Sequence, residues 1–298
     1  MPGRLAITGV DGFVGSHVAH LAAKAGFDVV GIGRRPTTEM TGLTAYVGID
    51  LAEAWPEVPD VDVVIHLAAL AAVGPSFEAP LRYVDVNAAI TINMCEALLR
   101  TRPNVRVIAA STGALYSQSQ HPLNEDSPLA FTSPYAVSKA TAEHLLSYYA
   151  NRGLDVVVAR PFNHIGPGQG EGFIVPDLTR RLRSLGHDQP LSVGNLDAER
   201  DYTDVRDVAM AYLAMAKAPE LPERLYNVAS GQARSGHEVL AAICRALGRD
   251  VPPVVVDRSR PLDIPRVIGD ASRLRSDFGW APRVEFETSI SDAVAAVE

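Results

Sequence analysis

The chain has 298 residues, 47% hydrophobic and 21% charged, enough for one large α/β domain with a smaller partner and a buried core. A formal net charge of −8 leaves nothing to offset phosphate repulsion across the surface, which excludes a non-specific nucleic-acid binder. No apolar run approaches the ~20 residues that cross a bilayer, and Arg4-Leu5-Ala6-Ile7-Thr8 reads at once as a strand with no basic-then-apolar leader, so a cytoplasmic protein with no membrane partner is expected.

Leu5–Thr8, Asp28–Ile32, Ala45–Ile49, Val61–Leu67, Val105–Ala110 and Leu154–Ala159 read as buried strands. They are short, rich in Val, Ile and Ala, and bounded by Gly, Pro or polar residues. Phe13–Ala25, Tyr83–Leu99 and Ser133–Ala150 read as helices between them. The alternation predicts an α/β fold of Rossmann type, a doubly wound parallel sheet covered on both faces. After Pro161 the rhythm changes: residues 163–172 are a Gly-rich loop and later segments are shorter, which marks a smaller C-terminal region. Cys95 and Cys244 each lie in an apolar, helix-like stretch and read as buried reduced thiols. No CxxC or HExxH spacing occurs, so no metal site is expected.

Thr8-Gly9-Val10-Asp11-Gly12-Phe13-Val14-Gly15 follows the first strand and opens the first helix, with glycines spaced G-x-x-G-x-x-G. Gly9 permits the tight turn, Gly12 lets backbone approach a pyrophosphate, and Gly15 lets helix pack closely on strand. The helix N-terminus, with Phe13 and Val14 in its first turn, offers free N–H groups and partial positive charge to the phosphates. This predicts a dinucleotide site. The second strand ends Gly31-Ile32-Gly33-Arg34-Arg35, where an acid would bind a ribose 2′-hydroxyl and arginines accommodate a 2′-phosphate. With no acid in that run and two guanidiniums following, NADP(H) is favoured and NAD(H) stays open. Asp50 and Leu51, after the third strand, are candidates to hold the adenine.

Ser133-Pro134-Tyr135-Ala136-Val137-Ser138-Lys139 reads as a helix start, with Ser133 as N-cap and Pro134 at the first position. Tyr135 and Lys139, four apart, share a helix face. A free tyrosine, with a pKa near ~10, is a poor base at neutrality, and a nearby ammonium is expected to lower it. The pair can then shuttle a proton while a nicotinamide moves hydride. Upstream, Ser111-Thr112-Gly113-Ala114-Leu115-Tyr116 can present a hydroxyl to the same oxygen.

Glycine loop, hydroxyl-bearing strand end and Tyr-Lys helix occur in an order that resembles the extended short-chain dehydrogenase/reductases, the nucleotide-sugar epimerase, dehydratase and reductase group. The resemblance covers essentially the whole chain. It includes Asp50-Leu51, His66-Leu67-Ala68-Ala69, Asn87, Arg160-Pro161-Phe162-Asn163, residues 200–207, Tyr226-Asn227-Val228 and Gly279-Trp280-Ala281-Pro282. It implies a catalytic triad of Thr112, Tyr135 and Lys139, with Lys139 also holding the nicotinamide ribose. It adds Leu67, Ala68, Ala69, Asn87 and Pro161 to the cofactor site and assigns Asn163, Arg200 and Arg260 to the nucleotide-diphosphate sugar. It divides the chain into a cofactor domain, residues 1–161 with part of 201–228, and a substrate region, residues 162–200 and 229–298. It also implies a homodimer through paired helices.

Dehydratases of this group carry an acid two positions after the catalytic hydroxyl, often with another between; here Gly113 and Ala114 occupy those places. A methyl group cannot protonate a leaving hydroxyl, which argues against dehydration. The segment from Arg160 to Gln169 resembles one in GDP-mannose dehydratases and GDP-4-keto-6-deoxymannose reductases, and residues 260–265 with Gly269-Asp270 resemble the reductases. The favoured reading is reduction of a nucleotide-linked 4-keto-6-deoxyhexose. The alternatives are a 4-epimerase that retains NAD and a non-catalytic NADP-binding regulator, the latter opposed by the complete triad. His66 is expected to be structural, His164 local in its contacts, and His17 and His20 incidental.

Overall fold

The computed structural model describes residues 3–186, 189–257 and 264–297. Its largest sheet contains β1 (Arg4–Thr8), β2 (Asp28–Gly33), β3 (Ala45–Gly48), β4 (Val63–His66), β5 (Arg106–Ala110), β6 (Asp155–Pro161) and β10 (Leu225–Val228). The spatial order is β10-β6-β5-β4-β1-β2-β3, and every pairing is parallel. The sequence of strands reverses between β1 and β4, and ligands of open α/β sheets bind in the crevice beyond such a reversal. The six strands read from sequence are all present, with ends shifted by at most two residues.

Successive strand residues face opposite layers, as a parallel sheet buried on both sides requires. Leu5, Ile7, Val29, Val63, Ile65, Ile108 and Val157 face one core, which α1 (Phe13–Lys24) and α6 (Val205–Lys217) cover. Ala6, Val30, Val64, Val107, Val156 and Val158 face the other, covered by α3 (Pro80–Thr101) and α4 (Pro134–Asn151). The helix expected from Tyr83 starts at Pro80, because proline at the first helical position sacrifices no hydrogen bond. The short α2 (Val73–Ser76) precedes it.

A second sheet joins β7 (Asn163–Ile165), β9 (Glu199–Asp204), β11 (Ala233–Ser235) and β13 (Arg266–Val267). A third pairs β8 (Leu191–Val193) with β12 (Val254–Val256). Around these pack α5 (Ile174–Ser184), α7 (Gly236–Ala246) and α9 (Phe286–Ala295) in a separate apolar cluster. The capping box of Ser235 and Glu238 fixes the start of α7. After α8 (Ser272–Phe278), Trp280 donates its indole N–H to the Asp207 carbonyl oxygen at 3.0 Å and ties the C-terminal segment to α6.

Both cysteines are buried and free, and burial raises the Cys95 thiol to about 12. Among the described residues, no helix is long and apolar enough to cross a membrane, and no group of three His, Cys, Asp or Glu side chains is placed to hold a metal ion.

Candidate active site

The glycine loop lies at the C-terminal end of β1, beside the strand reversal. Gly9 adopts φ +67°, and a Cβ on Gly15 would lie 2.2 Å from the Gly9 carbonyl oxygen. Only glycine tolerates this combination. Gly12 caps α1 without a side-chain hydrogen bond, so the first-turn N–H groups at Phe13, Val14 and Gly15 have no side-chain acceptor. A close backbone turn leading to an uncapped helix start fits a diphosphate.

The opposite wall is the segment after β4. The Thr8 hydroxyl oxygen accepts from the Leu67 and Ala68 N–H groups, each at 3.1 Å, and lies 2.9 Å from His66 Nδ1. With both acceptor positions engaged, the Thr8 O–H donates to Nδ1, which places the His66 proton on Nε2. Burial, aided by the Lys139 charge, lowers His66 to about 3. His66 is therefore a neutral structural group. Asn87 gives both amide hydrogens to protein, one to the Leu70 carbonyl (3.2 Å) and one to Ser138 Oγ (2.9 Å), and its Oδ1 accepts from the Leu70 N–H. It positions the 67–70 wall against α4. Asp50 is exposed and accepts from the Ala52 N–H, whereas Leu51 is buried.

An acid does stand at the end of β2, delivered by the glycine loop. Asp11 Oδ1 accepts from Thr38 Oγ at 2.8 Å, and Oδ2 accepts from the Tyr46 hydroxyl at 2.7 Å. Burial, then the Asp11 hydrogen bond and charge, raise Tyr46 to about 12. Arg34 and Arg35 are exposed on the turn beyond.

Thr112, Tyr135 and Lys139 converge at the C-terminal end of β5. Ser133 caps α4 through the Ala136 N–H and Pro134 takes the first helical position, as read from sequence. Tyr135 and Lys139 are each only 7% exposed. Thr112 lies beside the Tyr135 hydroxyl, and its Oγ accepts from the Ala114 N–H at 3.1 Å. The electrostatics depart from the sequence expectation. Burial outweighs the lowering influence of the neighbouring Thr112 hydroxyl and raises Tyr135 to about 12, while burial, opposed by Glu143, lowers Lys139 to about 8. The Lys139 ammonium donates to the Ala110 carbonyl at 2.8 Å. Desolvation exceeds the attraction the i, i+4 spacing suggests, and the phenol is held protonated. Ser111 Oγ is buried and has no hydrogen-bond partner.

The two positions after Thr112 carry no acid, and Ala114 is exposed. A Cβ on Gly113 would lie 2.9 Å from the Phe162 ring, and Ala114 offers only a methyl group. Asn163 on β7 and Arg200 on β9 fall on paired strands, with Asn163 opposite Tyr202. The Arg200 guanidinium donates to the Glu199 carbonyl at 2.8 Å. Pro161 pairs with Val228 at the end of β6. Arg260, with residues 258–263, lies outside the described residues.

A model of the NAD dependent epimerase/dehydratase family matches residues 5–229. The chain belongs to this family. It is an NAD(P)-dependent nucleotide-sugar enzyme of the extended short-chain dehydrogenase/reductase type, with reductases and epimerases among its relatives. It is 34% identical to GDP-6-deoxy-D-mannose reductase of Pseudomonas aeruginosa over 97% of this chain and 95% of the relative. The solved structure of RMD from Pseudomonas aeruginosa complexed with NADPH superimposes with a TM-score of 0.84, at 32% identity and 98% coverage of both chains. The UDP-glucose 4-epimerase of Thermus thermophilus in complex with NAD gives the same TM-score and coverage at 30% identity.

Several site features escaped sequence reasoning. Asp11 lies inside the glycine loop, where only the glycines were read. Phe13 stacks on His164 with ring centroids 5.9 Å apart, and His17 Nε2 lies 2.9 Å from the Pro167 carbonyl oxygen, so α1 is tied to the loop after β7. Arg160 makes a bidentate pair with Glu143 beneath the Tyr-Lys helix, at 2.9 and 2.6 Å. Glu143 is four residues past Lys139, a spacing that could have been noticed.

Proposed function

We propose that this family member reduces the 4-keto group of a nucleotide-diphosphate-linked 4-keto-6-deoxyhexose. The observation that carries the reading is the buried Tyr135 phenol beside Thr112, its proton held by desolvation, with no acid at positions 113 and 114. The identity of 34% to a reductase along nearly the whole of both chains supports it.

A bound nicotinamide dinucleotide supplies hydride to the carbonyl carbon. Thr112 orients the carbonyl oxygen, and Tyr135 donates its proton as that oxygen gains charge. Lys139, anchored on the Ala110 carbonyl, keeps two further N–H donors for the dinucleotide ribose and the phenolate left after transfer. The Gly9, Gly12 and Gly15 backbone, with Phe13 and Val14, would hold the diphosphate. Leu67, Ala68, Ala69 and Pro161 would wall the nicotinamide half, positioned by Asn87. Asp50 and Leu51 would meet the adenine. Arg34 and Arg35 support NADP(H) as the cofactor consumed. Asn163, Arg200 and Arg260 would bind the sugar-nucleotide diphosphate, since guanidiniums suit bidentate phosphate contact. Residues 1–161 with part of 201–228 would then form the cofactor domain, and residues 162–200 and 229–298 the substrate region. A cytoplasmic setting fits such reactants.

Leu81 and Ile92 on α3, with Val137 and Tyr148 on α4, are exposed apolar residues on the two helices that pack side by side. They support a homodimer through these helices.

Purified protein incubated with NADPH and a GDP- or dTDP-linked 4-keto-6-deoxyhexose should consume the cofactor and form the deoxysugar. Absence of oxidation with both sugars overturns the reading. The Asp11 carboxylate and the likeness to an NAD-bound epimerase favour a second reading, a 4-epimerase. Tightly retained NAD and interconversion of two sugars without net cofactor use would establish it.

A further inference from the structure

An acid at the end of the second strand of this fold ordinarily accepts from the adenosine ribose hydroxyls. Here Gly33 ends that strand. A Cβ on Gly33 would lie 2.1 Å from Asp11 Oδ2 and 2.6 Å from the Tyr46 hydroxyl. The space in which a strand-end side chain would begin is filled by a carboxylate from the glycine loop. We propose that Asp11 reads the adenosine ribose in place of the missing strand-end acid, and so holds down the preference for NADP(H) that Arg34 and Arg35 create.

Three features of the site carry this. First, Asp11 precedes Gly12, whose backbone meets the diphosphate in the proposed function, so the carboxylate and the phosphate cradle belong to one loop. The inference rests on that reading of the loop. Second, the carboxylate is fixed but not saturated. Thr38 engages Oδ1 and Tyr46 engages Oδ2, one hydrogen bond on each oxygen. A carboxylate oxygen accepts two, so both oxygens keep capacity for a ribose hydroxyl. Third, the Tyr46 hydroxyl also lies 2.8 Å from the Arg35 carbonyl oxygen. One O–H, shared between these two acceptors, thus sits between the acid and the backbone of the arginine pair.

The charges then oppose one another. A ribose 2′-hydroxyl gains a charge-assisted hydrogen bond from Asp11. A 2′-phosphate meets repulsion from Asp11 and attraction from the exposed guanidiniums. The sequence run at the strand end shows only the attractive half. Both dinucleotides are therefore accommodated, and the ratio between them depends on residue 11.

The test is fluorescence titration of the full chain with NADPH and with NADH in the absence of sugar, for wild type, Asp11→Asn, Asp11→Ser and Arg34→Ala. Wild type should hold the two within about tenfold of each other. Both Asp11 variants should shift the ratio of dissociation constants toward NADPH by about tenfold or more, the scale of one charged hydrogen bond. Arg34→Ala should shift it the other way. If Asp11→Ser does not fold, the isosteric Asp11→Asn carries the comparison. Variants that weaken both dinucleotides equally overturn the proposal, as does a wild type that favours NADPH more than about a hundredfold. A wild type that binds neither dinucleotide overturns instead the reading of the glycine loop, and with it this inference.

Discussion

The Lys139 ammonium donates to the carbonyl oxygen of Ala110, 2.8 Å away, and this bond anchors the lysine to the end of β5. Tyr135, four residues earlier on the same helix, lies instead beside the Thr112 side chain. The two members of the pair thus face different neighbours. Burial stabilises the neutral form of each, raising the phenol and lowering the amine. The arrangement suits a proton donor to a developing alkoxide.

Removal of that donor should affect turnover more than binding. Tyr135→Phe is expected to lower kcat by about a hundredfold or more, the scale of general acid catalysis. NADPH affinity measured by titration should remain within about twofold, since a group acting on the reacting oxygen contributes mainly in the transition state. Thr112→Val, which leaves the phenol in place, should cost about tenfold in kcat. Full turnover by Tyr135→Phe would exclude the phenol as the acid.

The pH profile should report the lysine. Its folded value, about 8, lies below the ordinary lysine range, so the ammonium is present below pH 8 and lost above it. Turnover that needs the charge should fall as pH rises through about 8. Stability follows the opposite course over that range. Between pH 8 and the ordinary lysine value the unfolded chain binds the extra proton, so this residue's contribution to stability grows as pH rises. Lys139→Met should abolish the alkaline limb of the turnover profile together with most of the activity.

His66 gives an acid-side prediction. Its folded value of about 3 lies below the 6.5 of a free imidazole, because the buried ring stays neutral. Between these values the unfolded chain binds the proton and the folded chain does not. Stability is therefore complete above pH 6.5 and falls on acidification by about 1.4 kcal/mol per unit from this residue. Denaturant unfolding at pH 7 and pH 5 should show the loss, and His66→Gln should reduce the difference between them.

Glu143 and Arg160 have side chains only 13% and 6% exposed, and the guanidinium lies 5.0 Å from the Tyr116 ring centroid. Glu143→Ala leaves a buried guanidinium without its counter-charge and should destabilise the protein by about 3 to 5 kcal/mol. Glu143→Ala combined with Arg160→Met should recover part of the loss. A single variant as stable as wild type would show that water reaches the arginine.

The order of chemistry along the chain was legible because each part is local. Gly9, Gly12 and Gly15 mark a turn that only a strand–helix junction needs, and Ser133-Pro134 marks the helix that carries Tyr135 and Lys139. The strands followed from short Val- and Ile-rich runs. What escaped depends on distance in sequence. Asp11 reaches the end of β2 only after the sheet forms, so the run from Gly31 to Arg35 hid the acid beside it. The pKa of Tyr135 depends on burial, which spacing does not report. Lys139 shares a helix face with the phenol, yet finds its hydrogen-bond acceptor on β5.

The most direct measurement of the central claim is the fate of the transferred hydrogen. NADPH carrying deuterium in its transferable position, incubated with wild type and a nucleotide-linked 4-keto-6-deoxyhexose, should yield a deoxysugar with one deuterium at C4. The Tyr135→Phe protein should yield almost none in the same time. Product without deuterium at C4, or equal labelling by the variant, would contradict hydride reduction with Tyr135 as the acid.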